Sequence, residues 1–204
     1  MSTDLKIRII SNLHATQQVL MYQQDLQLNV KNYKVAAWEH PYIAPQAQFN
    51  TVLPMNIGVS ASTELGRGTM QTKSLNADYN TAWEIFENSK ALDIRKSNDP
   101  SPSESTIEIL NKCDSTKYAV VTKDGKSLFA CEVRPEFKVN FAVHPKLYIA
   151  LSDLEINDEF FDAATLSKSP VVIDYEGQEY LTVYLSDNVS TGLVTITYDF
   201  AKFD

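Results

Sequence analysis

Alternation with a period of two runs through nearly the whole chain. Leu5, Ile7 and Ile9 alternate with Lys6 and Arg8, and Ile107 and Ile109 flank Glu108. Val139, Phe141 and Val143 alternate with Lys138, Asn140 and Ala142. Leu181, Val183 and Leu185 alternate with Thr182, Tyr184 and Ser186, and Val194, Ile196 and Tyr198 with Thr195, Thr197 and Asp199. Successive side chains of an extended strand point to opposite faces, so these runs read as strands with one face buried. The stretch 19–22, Val-Leu-Met-Tyr, is apolar at every position and reads as a strand buried on both faces. Val, Ile, Thr, Tyr and Phe dominate these runs, which are the residues that suit a pleated surface.

Turn chemistry separates the strands. Asp124-Gly125 between YAVVT and SLFACEV predicts a tight hairpin, because both residues tolerate the positive φ that such turns need. The stretch 186–192, SDNVSTG, predicts a longer loop joining the last two strands. Residues 97–105, SNDPSPSES, contain no apolar side chain and form the most linker-like segment. Helical signal is confined to 151–167, where Phe160, Phe161, Ala164 and Leu166 could cover one end of the fold. The pattern predicts about a dozen strands. The expected fold is all-β: a two-sheet antiparallel β-sandwich with Greek-key connections and at most one or two short helices, with a barrel as the alternative. One domain over 1–204 is expected, the alternative being two β subdomains, 1–97 and 105–204, joined by the 97–105 loop. The strand-like ends LKIRII and TITYDFAKF are expected to be paired inside sheets.

The net charge of −8 sets the partners that an acidic surface repels. Phosphate backbones and anionic lipid fall in that class, so neither nucleic acid nor membrane is expected as a partner. The beginning of the chain lacks the uninterrupted apolar run of a secretory leader, since Asp4, Lys6 and Arg8 intervene, and a cytoplasmic protein is expected. Cys113 and Cys131 then read as two small buried hydrophobes rather than a disulfide.

Chemistry-bearing motifs are few. His40 and His144 each stand directly before a proline, in WEHPY and VHPKLY, and with His14 they make up all three histidines. Proline restrains its predecessor to extended geometry and cannot donate a ladder hydrogen bond, so both histidines belong at strand ends, where sites are carried. If His14, His40 and His144 converge, three imidazoles suit Zn, Cu, Ni or Fe with one open position. The plainer reading is that they close strand ends with ordinary hydrogen bonds and that no cofactor is held. The acidic stretch Asp153, Glu155, Asp158, Glu159 and Asp162 lacks the glycine of an EF-hand loop and reads as a solvated loop. No phosphate-binding glycine loop and no GxSxG elbow occurs.

Among 21 aromatics, Trp38 and Tyr42 sit at a strand end and are the candidate ligand-stacking pair. Polar Gln, Asn and Thr side chains in TQQVLMYQQDLQLNVKNY suit either a polar ligand or packing against further copies. The expected function is therefore a non-catalytic soluble β-sandwich that binds or self-associates, working as a homo-oligomer through unprotected sheet edges. The alternative is a small metal-dependent enzyme with a histidine-ligated site at one end of the sandwich.

Overall fold

The computed structural model describes residues 4–25, 33–66, 69, 71–98, 105–152, 160–161 and 169–203. Among these residues the chain forms eighteen strands and no helix. The fold is all-β and sandwich-like, as the alternation requires, but it is built from four sheets rather than two. Of the expected helical stretch, Phe160 and Phe161 form a short strand, while 153–159 and 162–168, with the acidic loop residues, lie outside the described residues.

One pair of sheets takes its strands from the two flanks of the sequence. These are β1 (Leu5–Asn12), β2 (Gln17–Tyr22), β4 (Tyr42–Ile43) and β5 (Gln48–Leu53), with β14 (Lys146–Ser152), β16 (Val171–Asp174), β17 (Tyr180–Asn188) and β18 (Leu193–Asp199). They order as β18-β17-β1-β5 and β16-β14-β2-β4. The other pair takes β6 (Ile57–Ser62), β7 (Leu75–Ala77), β8 (Thr81–Asn88), β9 (Ala91–Lys96), β10 (Ile107–Asn111), β11 (Lys117–Lys123), β12 (Lys126–Val133) and β13 (Lys138–Phe141). These order as β13-β10-β8-β9 and β12-β11-β6-β7, and the latter sheet is extended beyond β12 by β3 (Tyr33–Ala36) and β15 (Phe160–Phe161). Leaving aside the excursions to β3 and β15, the chain passes between the two sandwiches at 54–56 and 142–145. In sequence the polar stretch 97–105 falls between β9 and β10, both strands of the second sandwich, and its residues 99–104 lie outside the described residues.

The two sandwiches have the same wiring. Reading β6 to β13 in order, and then β14, β16, β17, β18, β1, β2, β4 and β5, gives the same sequence of pairings twice. Register repeats as well. Ile7 lies opposite Leu181 and Ile9 opposite Val183, while Ile107 lies opposite Thr81 and Ile109 opposite Trp83. Met21 faces Ile149 where Val121 faces Val59, and Ile9 faces Phe49 where Ile109 faces Val139. Even the strand-end turns agree: Leu13 N donates to Ser11 Oγ at 3.4 Å and Cys113 N to Asn111 Oδ1 at 2.9 Å. Cys113 therefore occupies the place of Leu13, and it and Cys131 are buried free thiols. Burial pushes the Cys131 thiol up to about 11. In both sandwiches one pairing is parallel, β1 with β17 and β8 with β10. In each case the added strand lies beside the first strand of a hairpin, on the side away from its second.

The inner faces of all four sheets meet in one continuous apolar core, from Ile7, Val19, Ile149 and Val183 to Val59, Ile85, Ile109 and Val121. A second cluster joins the sandwiches. Leu20, Tyr22, Tyr148 and Ala150 on the outer face of β2 and β14 pack against Val35 and Ala37. This explains why 19–22 is apolar at every position: β2 is covered on both sides. The Asp124-Gly125 hairpin forms with φ of 49° and 75°, the positive values its residues predict. The strands at both ends of the sequence, β1 and β18, are paired inside a sheet, as expected, and the sheet is the same one.

Candidate functional site

The structure keeps the three histidines apart. His14 follows β1 at the end where β2 begins, and its Nδ1 lies 2.6 Å from Asp187 Oδ1. His144 lies at the other end of β2, where Gln23 Nε2 donates to its carbonyl at 3.0 Å. The six residues of β2 separate the two by roughly 17–20 Å of extended strand, so one ion cannot take both. Among the described residues, no group of three or more His, Cys, Asp or Glu is gathered where it could hold a metal ion. The shared His-Pro spelling reflects strand punctuation and not a common site. His14 instead holds the Asp187 carboxyl below the usual carboxylate range. At the equivalent place in the second sandwich Glu87 pairs with Lys117 at 2.8 Å, so both pairs tie down a strand end. His40 is exposed, beside Glu39, which bridges to Met21.

Trp38 and Tyr42 are also separated in character. Trp38 belongs to the core, 5% exposed, with the Lys126 ammonium 5.3 Å from its ring centre. Tyr42 is 57% exposed on β4. They do not form a common stacking platform, because Trp38 is buried in the core while Tyr42 lies exposed on β4.

Comparing the sandwiches reveals a site that no local motif announces. In the first, Gln23 follows β2 and spends its side-chain amide on three oxygens: His144 O at 3.0 Å, Lys146 O at 3.1 Å and Tyr175 Oη at 2.9 Å. Tyr175 is 2% exposed and fills the space beside the 144–146 link. In the second, the same places hold Lys123, Pro54, Asn56 and Tyr79. Lys123 is 2% exposed and its ammonium donates to Pro54 O at 2.8 Å. Tyr79 does not close over it. Its hydroxyl donates to Val143 O at 2.6 Å, and its ring is 41% exposed. A cleft of about 360 Å³ is left, lined by Met55, Asn56, Ile57, Asn76, Ala77, Asp78 and Tyr79.

The electrostatics of this place follow from burial. Desolvation lowers the Lys123 ammonium to about 8, with the nearby Asp4 carboxylate opposing the shift. Asp4 is fixed there by accepting from Met55 N at 3.0 Å. Unfolded lysine keeps its proton to about 10.4, so between about pH 8 and that value the unfolded chain binds more protons than the folded one. Stability contributed at this position therefore rises with pH across the window. Lys123→Gln installs the residue of the first sandwich and removes the titration. Urea unfolding should show the wild type gaining about 2 kcal/mol relative to the variant between about pH 7 and pH 9.5. Parallel pH dependence in the two proteins would refute the assignment.

Sequence patterns alone passed over Lys123, Tyr79, Asn56, Asn76 and Asp78. The available signal was the pair Asp78-Tyr79 before the strand TAWEI and Asp174-Tyr175 shortly before LTVYL. A sequence model described as RhiA matches residues 2–196, which takes in both sandwiches and the cleft between β6 and β7. The chain belongs to the RhiA family. The duplicated wiring, with flanking strands completing one sandwich around the other, is thus the unit that the RhiA match covers. No curated protein and no solved structure matches the chain. No helix among the described residues is long and apolar enough to cross a membrane.

Proposed function

We propose that this RhiA-family chain is a non-catalytic cytoplasmic binding protein that works as a homo-oligomer, two copies pairing β18 against β18. One comparison carries the reading. β9 and β18 are equivalent end strands of equivalent sheets, paired to β8 and β17 in the same register. β9 presents Asp93, Arg95 and Lys96, while the corresponding positions of β18 are Thr195, Thr197 and Tyr198. Charges on an end strand oppose pairing with a second chain, and their absence at these three positions, with Asp199 at the strand end accepting from Tyr184 Oη at 2.8 Å, leaves a row of backbone donors and acceptors open to it. β18 is seven residues long, with Leu193 66% exposed at its start and Tyr198 41% exposed near its end. Antiparallel pairing of a strand with its own copy is self-complementary about a twofold axis and closes at two subunits. The outward face of the β8–β10 sheet is charged besides: Glu84 binds Lys112 at 2.6 Å and Arg95 at 3.0 Å, and Glu108 binds Lys138 at 2.9 Å.

The test transplants one edge onto the other. Thr195→Asp, Thr197→Arg and Tyr198→Lys together give β18 the charges of β9. Light scattering behind size exclusion, over about 1–100 μM, should show a wild-type dimer and a folded monomeric triple variant. A wild type that stays monomeric throughout, or a triple variant that still dimerises, would sink the proposal.

A further inference from the structure

We infer that the cleft beside Tyr79 binds a neutral polyhydroxylated small molecule of monosaccharide size. The duplicated sandwich supplies the reference. Where the first sandwich is closed by the Tyr175 hydroxyl against Gln23, the second has turned Tyr79 outward to Val143 O and left the space open. The buried Lys123 ammonium does not itself line the cleft but holds Pro54 O, next to the lining residue Met55, and it has three N–H donors for that one acceptor. Gln23, in the equivalent place, has two amide N–H donors with three oxygens within reach, so none is left spare. A buried ammonium left with spare donors favours an incoming oxygen.

The lining decides the class of that oxygen. Asn56, Asn76 and Asp78 are exposed at the cleft, and among the described residues no protein group engages their side chains. Two amides and a carboxylate offer mixed donors and acceptors, the complement of neighbouring hydroxyls, each of which both donates and accepts. The Asp78 carboxylate, Asp4 at Met55 N and the net charge of −8 disfavour an anion. Tyr79 and Met55 supply an apolar flank for the C–H face of a sugar ring. The volume of about 360 Å³ lies at the small end of small-molecule sites, as a single ring requires. A ligand hydroxyl would take the place that the Tyr175 hydroxyl holds in the first sandwich.

The experiment is a ¹H–¹⁵N NMR titration of the intact chain with glucose, galactose, mannose, fucose and N-acetylglucosamine, each to about 20 mM, with succinate as the anionic probe. At least one sugar should shift the amides of 55–57 and 76–79 in a saturable manner. Asn76→Ala and Asp78→Ala, both exposed changes, should each weaken that sugar at least tenfold while leaving the rest of the spectrum in place. Lys123→Gln should abolish binding by restoring the partner that draws the tyrosine inward. The β18 triple variant should bind as the wild type does, so oligomerisation and ligand binding are read separately. The inference is overturned if no sugar moves those amides, if the two lining variants bind unchanged, or if succinate binds in preference to every sugar.

Discussion

Replacing Tyr22 with alanine is expected to cost about 3–5 kcal/mol and to split a single unfolding transition into two. Tyr22 is 1% exposed and forms the centre of the smaller apolar cluster. Its ring stacks on Tyr148 at 5.2 Å and meets Phe161 edge-on at 5.4 Å. Tyr148 belongs to the first sandwich, whereas Phe161 and Val35 extend the six-stranded sheet of the second. Removing the ring therefore leaves a cavity in the smaller cluster, one of the two places where the sandwiches meet, and leaves the continuous core of all four sheets untouched. Each sandwich keeps its own sheets, and the coupling that makes them unfold together is weakened. Differential scanning calorimetry checks this, with Tyr22→Phe as the variant that keeps the ring and the single transition. One cooperative transition in Tyr22→Ala, merely lowered in temperature, would show that the coupling resides elsewhere.

Phe129→Ala is expected to lower the melting temperature by roughly 8–15 °C, from a cost of about 3–5 kcal/mol in a chain of this size. Phe129 is fully buried on β12, with Tyr33 at 5.7 Å on one side and Phe141 at 5.5 Å on the other. It pins β3 and β13 to the same sheet element and so holds the second sandwich closed at the edge where the first is attached. Phe129→Leu keeps most of the volume and should recover more than half of the loss. Equal losses in the two variants, measured by thermal unfolding, would mean that volume alone recovers nothing and that the ring's own packing carries the effect.

Much of this architecture is legible in local sequence. Alternation in LKIRII, VNFAV and TITYD follows from the pleat, which every strand obeys whatever its partner. Asp124-Gly125 specifies its hairpin because positive φ is a property of those two residues. The uninterrupted apolar run 19–22 signals a strand covered on both faces, and β2 is one. The duplication is harder to see. FNTVLPMNIGVSAS and VNFAVHPKLYIALS fill equivalent places, as do KIRIISNLHATQQVLM and TIEILNKCDSTKYAVV, yet few residues coincide. Packing keeps which positions are buried: Leu13, Val19 and Met21 match Cys113, Ala119 and Val121 in burial while differing in identity. The two His-Pro pairs look more alike than any of these, but His144 stands where the second sandwich has Pro54.

The sequence by itself determined that the chain is all-β, where its tight turns fall, and that its surface repels anions, because each of these depends on a residue and its immediate neighbours. Tertiary structure alone decided that the flanking strands close one sandwich around a second of the same wiring. It also decided that His14 and His144 stand at opposite ends of β2, and that Tyr175 turns inward while Tyr79 turns out. Those outcomes rest on contacts between residues far apart in the chain: Gln23 and Tyr175 on one side, Lys123 and Pro54 on the other. Whether a cleft is filled or open depends on the shape and hydrogen-bond count of such distant partners, and no local pattern records them.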